Sequence, residues 1–167
     1  MRNFHGSNYA KRGGPFDQNI TDAQIPRVEL LSGAGFVRVI AGTYQSVRGP
    51  ARTFSPMNVW DMRLKAGGRQ VFAVPARWTA ALFVLKGKIK LGSGETAGAA
   101  ELAVLQREGD SFEIGALEDS TILFLNGEPI DEPVVGQGPF VMNTEAEIAQ
   151  AFADYRSGRM GHFADHA

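Results

Sequence analysis

Hydrophobic and polar residues alternate in short runs from residue 36 to 125, and no helical period appears anywhere between them. Residues 35–42 place Val37 and Val39 on one face and Arg38 on the other. Residues 57–64 put Trp60, Met62 and Leu64 on one side, with Asp61 and Arg63 opposite, the pattern of a half-buried strand with an inward aromatic. A weaker run at 69–74 ends at Pro75. Residues 79–85 are continuously apolar, Gly87 marks a turn, and 88–91 alternate cleanly. Further runs at 101–105, 111–114 and 120–125 complete the series, with a turn at 107–110. The reading is all-β.

After the last run the pattern changes. Residues 126–144 hold three prolines and three glycines, which predicts an extended strap poor in hydrogen bonds that leaves a sheet and leads to a helix. Thr144 and Glu147 form a capping box. Ile148, Phe152 and Tyr155 follow at helical spacing, and Gly158 supplies a left-handed stop after Arg156. One C-terminal α-helix is therefore predicted at 144–157. Its apolar face is expected to cover an edge or mouth of the sheet, because a lone helix of that length is marginal in water. Residues 1–25 read as a leader without structure of its own, broken at Gly13, Gly14 and Pro15, and 163–167 as a tail.

Composition narrows the function classes. The chain has 167 residues, 44% hydrophobic and 21% charged, with a formal net charge of −1. That length fits one domain, here residues 26–162, and 20 glycines with 8 prolines favour many short strands. No basic cluster suggests direct nucleic-acid binding, and no apolar stretch is long enough to span a membrane. The absence of cysteine removes disulfides, thiolate metal sites and a Cys nucleophile, and it fits a cytoplasmic location.

Several stretches resemble the second cupin domain of pirins, a two-domain family of the cupin superfamily. The strap is the most specific, from Gly127-Glu128-Pro129 through Gly138-Pro139-Phe140-Val141-Met142-Asn143-Thr144. Ile25-Pro26 with residues 37–42, the run 78–87, and Ala103-Val104-Leu105 leading to Gly109-Asp110-Ser111 are similar as well, as are the helix and residues 159–162. The resemblance implies a double-stranded β-helix, the cupin jelly-roll barrel.

It also implies where a metal would be held. Metal-binding cupins use two spaced motifs, the first supplying His-x-His and Glu before a glycine, the second a His after Pro-x-Gly. With Gly87 as the closing glycine, Ala80 falls at the Glu position. The two His positions fall on Val74 and Ala76, or on Ala73 and Pro75 with the longer spacer. Counting from Gly109 puts Gly115 at the Pro position and Ser120 at the second-motif His. None of these is an imidazole or carboxylate, so no metal or other cofactor is expected. In pirins the metal site is assigned to the first domain, which this sequence does not match.

Other candidates are weaker. The three histidines are His5 in the leader and His162 and His166 near the chain's end, where a frayed tail is the simpler reading. Glu128, Asp131 and Glu132 flank prolines and read as solvated charge. The glycine pairs lack the Lys-Ser or Lys-Thr of a phosphate loop. Trp60, Met62, Phe83, Leu85, Ser120 and Phe124 are placed around the barrel interior, where a small apolar ligand would sit if side chains did not fill the space. No catalytic residue is assigned.

These observations lead to the expectation of a metal-free, pirin-like binding or regulatory module with a protein partner. The alternatives are a metal-dependent dioxygenase of the quercetin 2,3-dioxygenase type and a structural half that completes a two-domain pirin. A homodimer is expected too, because an isolated second half exposes what a first half would cover. Its contacts are expected at Val134-Val135, at residues 139–141, or around Phe16 and Ile20.

Overall fold

Strand parity builds the larger unit. In β2 (Gly35–Ala41) and β5 (Met57–Leu64) every second residue is buried, so Val37, Val39, Trp60, Met62 and Leu64 face one way. The same holds for Ile122 and Phe124 of β12 (Ser120–Gly127) and for Leu82 and Val84 of β7 (Thr79–Lys86). These details come from a computed structural model, which describes residues 18–161.

Two compact units are present, Gln18–Pro129 and the chain from Ile130 onward. The first contains two antiparallel sheets. The larger has the order β1-β2-β5-β12-β7-β10, with β1 at Arg27–Glu29 and β10 at Leu102–Leu105. The smaller has the order β6-β11-β8-β9, spanning Arg69–Ala73, Ser111–Ala116, Lys88–Leu91 and Thr96–Gly98. A small ladder of β3 (Thr43–Tyr44) and β4 (Val47–Arg48) lies between β2 and β5 in sequence. The inner faces meet in one apolar cluster that includes Trp60, Phe72, Leu82, Ile89, Ile114 and Phe124. At about 1.5–3 kcal/mol per fully buried large side chain, that cluster is the main source of stability. This is the all-β unit expected from the alternation, in the jelly-roll form that the resemblance implied.

Three expectations need correction. Residues 18–25 are not loose: Gln18 bonds both backbone groups of Arg52, Asp22 is ion-paired with Arg38, and residues 22–24 form a capped 3₁₀ turn. The strap is not uniformly poor in hydrogen bonds. After an extended run, β13 (Val135–Gln137) and β14 (Phe140–Met142) pair in a hairpin closed by Gly138, at φ +57, and Pro139. A proline confined to the turn leaves the ladder donors on either side free to pair. The third correction concerns Phe83 and Leu85, described with the site below.

The second unit contains that hairpin and helix α1 (Glu145–Arg156). Both halves of the predicted capping box form, with Thr144 Oγ1 accepting from the Glu147 N–H and Glu147 Oε2 accepting from the Thr144 N–H. Phe152 packs edge-on against Phe140 at 5.0 Å, so the hairpin supplies apolar contact to the helix within its own unit. Tyr155 is largely exposed, although its ring lies 6.3 Å from that of Phe140; Ile148 and Ala151 are the buried helix residues. Among the described residues no helix is long and apolar enough to cross a membrane.

Candidate functional site

At one end of the barrel unit, the turn at residues 74–78 between β6 and β7 meets the turn at 106–110 between β10 and β11. The Val74 N–H donates to the Asp110 carbonyl at 2.8 Å, and the Arg77 N–H to that of Arg107 at 3.0 Å. Two clefts open here. The larger, about 740 Å³, has Val74, Ala80, Leu105 and Phe112 among its apolar lining and Glu95, Arg107, Glu108 and Glu113 among its charged residues. The smaller, about 390 Å³, is lined partly by Thr43, Arg48, Asn58 and Trp60. Pro75 and Trp78 line both, so this turn is the wall between them.

Of the first-motif positions, Val74 and Ala80 border the larger cleft, as does Pro75 of the longer spacer, whereas Ala73 lines the smaller cleft and Ala76 lines neither. The second-motif count does not bring Ser120 there. Ser120 is buried, as expected, but it pairs with Leu64, whereas Ala80 pairs with Asn126 at the far end of β12. Six positions of β12 at ~3.3 Å each put the two levels roughly 20 Å apart along the strand, too far to share an ion. The strand beside β6 is β11, in which Phe112 pairs with Phe72. Phe112, not Ser120, therefore stands opposite the first motif. The Gly109-Asp110 turn leads directly into β11, and a count continued past it runs on to the next strand in the other sheet.

The residues at that level are Phe72, Val74, Ala80 and Phe112, and none carries a side-chain donor atom for a metal. Aromatic rings occupy the space: Phe72 stacks on Phe112 at 5.2 Å, Phe112 lies 5.0 Å from Phe124, and Phe124 lies 4.7 Å from Trp60. Among the described residues no group of three or more His, Cys, Asp or Glu could hold an ion. The cupin metal does not fit these side chains. His5, His162 and His166, like Phe16, lie outside the described residues.

Of the six residues placed around a barrel pocket, Trp60, Met62, Ser120 and Phe124 are buried inside. Phe83 and Leu85 point to the other face of β7, and Leu85 is 52% exposed. The run 79–85 has no alternation to reveal its parity. Pairing sets it instead, Leu82 opposite Phe124 and Ala80 opposite Asn126. Trp60, Phe72 and Phe124 are almost fully buried against one another, so the interior is packed core. The Ser120 hydroxyl is satisfied by the carbonyls of Glu118 at 2.7 Å and Lys88 at 3.2 Å. The Trp60 Nε1 atom is buried without a hydrogen-bond partner, and the Tyr44 ring lies edge-to-face at 5.0 Å. Burial pushes the Tyr44 hydroxyl's pKa above its usual value, against a smaller lowering by Gln45.

Beside the smaller cleft lies a polar cluster that sequence reasoning missed. Asn58 donates to Asn126 Oδ1 at 2.9 Å, and Asn126 donates to the Thr79 carbonyl at 3.1 Å. Asn58 Oδ1 accepts from the Thr43 N–H at 3.0 Å. The signal was present: both asparagines share the inward parity of Trp60 and Phe124. Of the strap carboxylates, Glu132 accepts from Asn143 at 3.0 Å, and Glu128 and Asp131 are exposed.

Comparison with known proteins agrees with this architecture. The model of the pirin C-terminal cupin domain matches residues 59–161. A Pseudomonas aeruginosa protein provisionally named quercetin 2,3-dioxygenase is 45% identical over 149 residues, 89% of this chain and 52% of that protein. Pirin-1 of Arabidopsis thaliana is 36% identical, with 88% of this chain and 52% of its own length covered. The solved structure of quercetin 2,3-dioxygenase from Acinetobacter baumannii superposes with a TM-score of 0.81 at 40% identity, covering 88% of this chain and 51% of that one. The chain thus spans about half the length of these relatives.

Proposed function

Since the chain belongs to the pirin family of the cupin superfamily and matches its C-terminal domain, we propose that it serves as the non-metal cupin half of a quercetin 2,3-dioxygenase-type protein. The observation that carries this reading is the 45% identity to a relative of that name, over only 52% of the relative's length. Opening a flavonol ring with dioxygen calls for a redox metal with open coordination positions. Phe72, Val74, Ala80 and Phe112 offer no ligand, so on this reading the ion is held outside the described residues, by a second cupin domain. What the present residues supply is a rigid barrel and two clefts.

Reconstitution tests it. The chain is mixed with the separately expressed other half of the Pseudomonas relative and Fe(II), and quercetin consumption is followed by absorbance. Turnover by the mixture and none by this chain alone is expected. Turnover by this chain alone with Fe(II) would show that it is no mere half. A mixture that neither associates nor turns over would remove the dioxygenase reading.

The ring-filled ligand level favours a second reading, a metal-free binding module with a regulatory protein partner. Stoichiometric iron, copper or manganese in untagged protein would end it.

A further inference from the structure

The chain has two tryptophans, and they are placed very differently. Trp60 is core, whereas Trp78 is only half-buried and walls both clefts. The turn that carries it is pinned by the two hydrogen bonds to the 106–110 turn. Within it Arg77 sits at φ +67, a conformation of low population for a non-glycine residue that persists only where the surroundings impose it. A large aromatic face is thus held beside open space.

The rest of the larger cleft defines what fits. Its apolar lining includes Val74, Ala80, Leu105 and Phe112, the last backed by the stacked ring of Phe72. Its volume of about 740 Å³ suits a small organic molecule. The charged lining is mostly carboxylate: Glu95, Glu108 and Glu113 against the single cation Arg107. Glu113 is partly engaged by Arg69 at 3.2 Å and Glu95 by Ser93 at 3.4 Å, while Glu108 is exposed. Carboxylates accept hydrogen bonds and repel anions.

From this combination we infer that the larger cleft binds a neutral, planar aromatic molecule bearing hydroxyl groups, with the Trp78 indole as its stacking wall. The inference puts a site for the substrate class of the proposed dioxygenase into the non-metal half, and to that extent it rests on that reading.

Binding to the metal-free chain, without turnover, is the test, so its outcome is separate from the reconstitution assay. Quenching of tryptophan emission is followed on titration with catechol, quercetin, the anionic carboxylate protocatechuate, and glucose, corrected for ligand absorbance. Saturable quenching by catechol and quercetin is expected, with protocatechuate weaker and glucose inert. With affinity read by isothermal titration calorimetry, because these variants remove the reporting indole, Trp78→Leu should weaken binding roughly tenfold and Trp78→Phe, which keeps a stacking ring, much less. Circular dichroism and retained Trp60 emission report that each variant is folded. Glu108→Gln should tighten protocatechuate severalfold. Absence of saturable quenching at millimolar ligand, undiminished affinity in Trp78→Leu, or protocatechuate binding as tightly as catechol would each overturn the inference.

Discussion

Asn126 offers a direct test of how the cleft end of the barrel is held. It is 5% exposed, accepts from Asn58 at 2.9 Å and donates to the Thr79 carbonyl at 3.1 Å, and so links β5, β12 and the start of β7. Asn126→Ala leaves the buried Asn58 amide donor without its acceptor and takes the side-chain donor away from the Thr79 carbonyl. An unsatisfied buried group costs about 1–3 kcal/mol, more than the net ~1 kcal/mol of an ordinary hydrogen bond. The Thr79 carbonyl, at an exposed residue, recovers part of its loss from water. The expected cost is therefore roughly 2–4 kcal/mol. At approximately 3 °C per kcal/mol for a chain of this size, Tm falls by roughly 6–12 °C. Asn58→Ala should cost a similar amount, because it also orphans the Thr43 N–H. The double variant should cost less than the two singles together, by about 1–2 kcal/mol, since the Asn–Asn bond can be lost only once. Urea unfolding followed by circular dichroism gives all three values. Single variants within ~0.5 kcal/mol of the parent, or strict additivity, would refute the network as a coupled unit.

Other expected outcomes can be checked with the same unfolding assay. Trp60→Phe should cost under about 1.5 kcal/mol, as Nε1 has no partner to lose, whereas Trp60→Ala should cost about 3–5 kcal/mol; equal costs would show a missed hydrogen bond. Gly87→Ala should destabilise by at least ~2 kcal/mol, because φ is +82 and a Cβ there would stand 2.5 Å from Asp119 O and Ser120 Oγ; a neutral effect would show that this turn relaxes freely. The raised pKa of Tyr44 means that the folded state holds this proton more tightly than the unfolded chain. Its contribution is complete below the ordinary value of 10.0 and is lost as pH rises above it. The alkaline loss of stability should therefore be smaller in Tyr44→Phe, and identical pH profiles would remove the effect. Sedimentation should show self-association, through the apolar strap residues Val134 and Val141 or through Leu85, Leu102 and Val104 on the outer face of β7 and β10; a mass near 18.0 kDa at every concentration would exclude it.

Local periodicity was enough for much of this protein. Val37 and Val39, and Trp60, Met62 and Leu64, declare their buried face within a few residues, because side chains of a strand alternate whatever its neighbours are. The capping box of Thr144 and Glu147 is equally local, a matter of two side chains reaching two backbone N–H groups three residues apart. The all-β barrel unit and the terminal helix follow from such signals. Val74 and Ala80 border one cleft because only the short turn at 74–78 separates β6 of one sheet from β7 of the other.

What failed depended on which strands become neighbours. The run 79–85 is apolar at every position, so only its pairing with β12 decides that Leu82 and Val84 turn inward while Phe83 and Leu85 turn out. Ser120 and Phe112 differ by eight positions in sequence, yet they belong to different sheets, and only β11 runs beside β6. The Asn58–Asn126 bond joins residues 68 apart, and the two clefts exist because separate turns meet at Trp78. Alternation along a strand assigns a residue to a face, but a site is made of residues from several strands. Their convergence is set by long-range pairing, in which hydrogen-bonded register and buried area across the whole sheet outweigh the preference of any short segment.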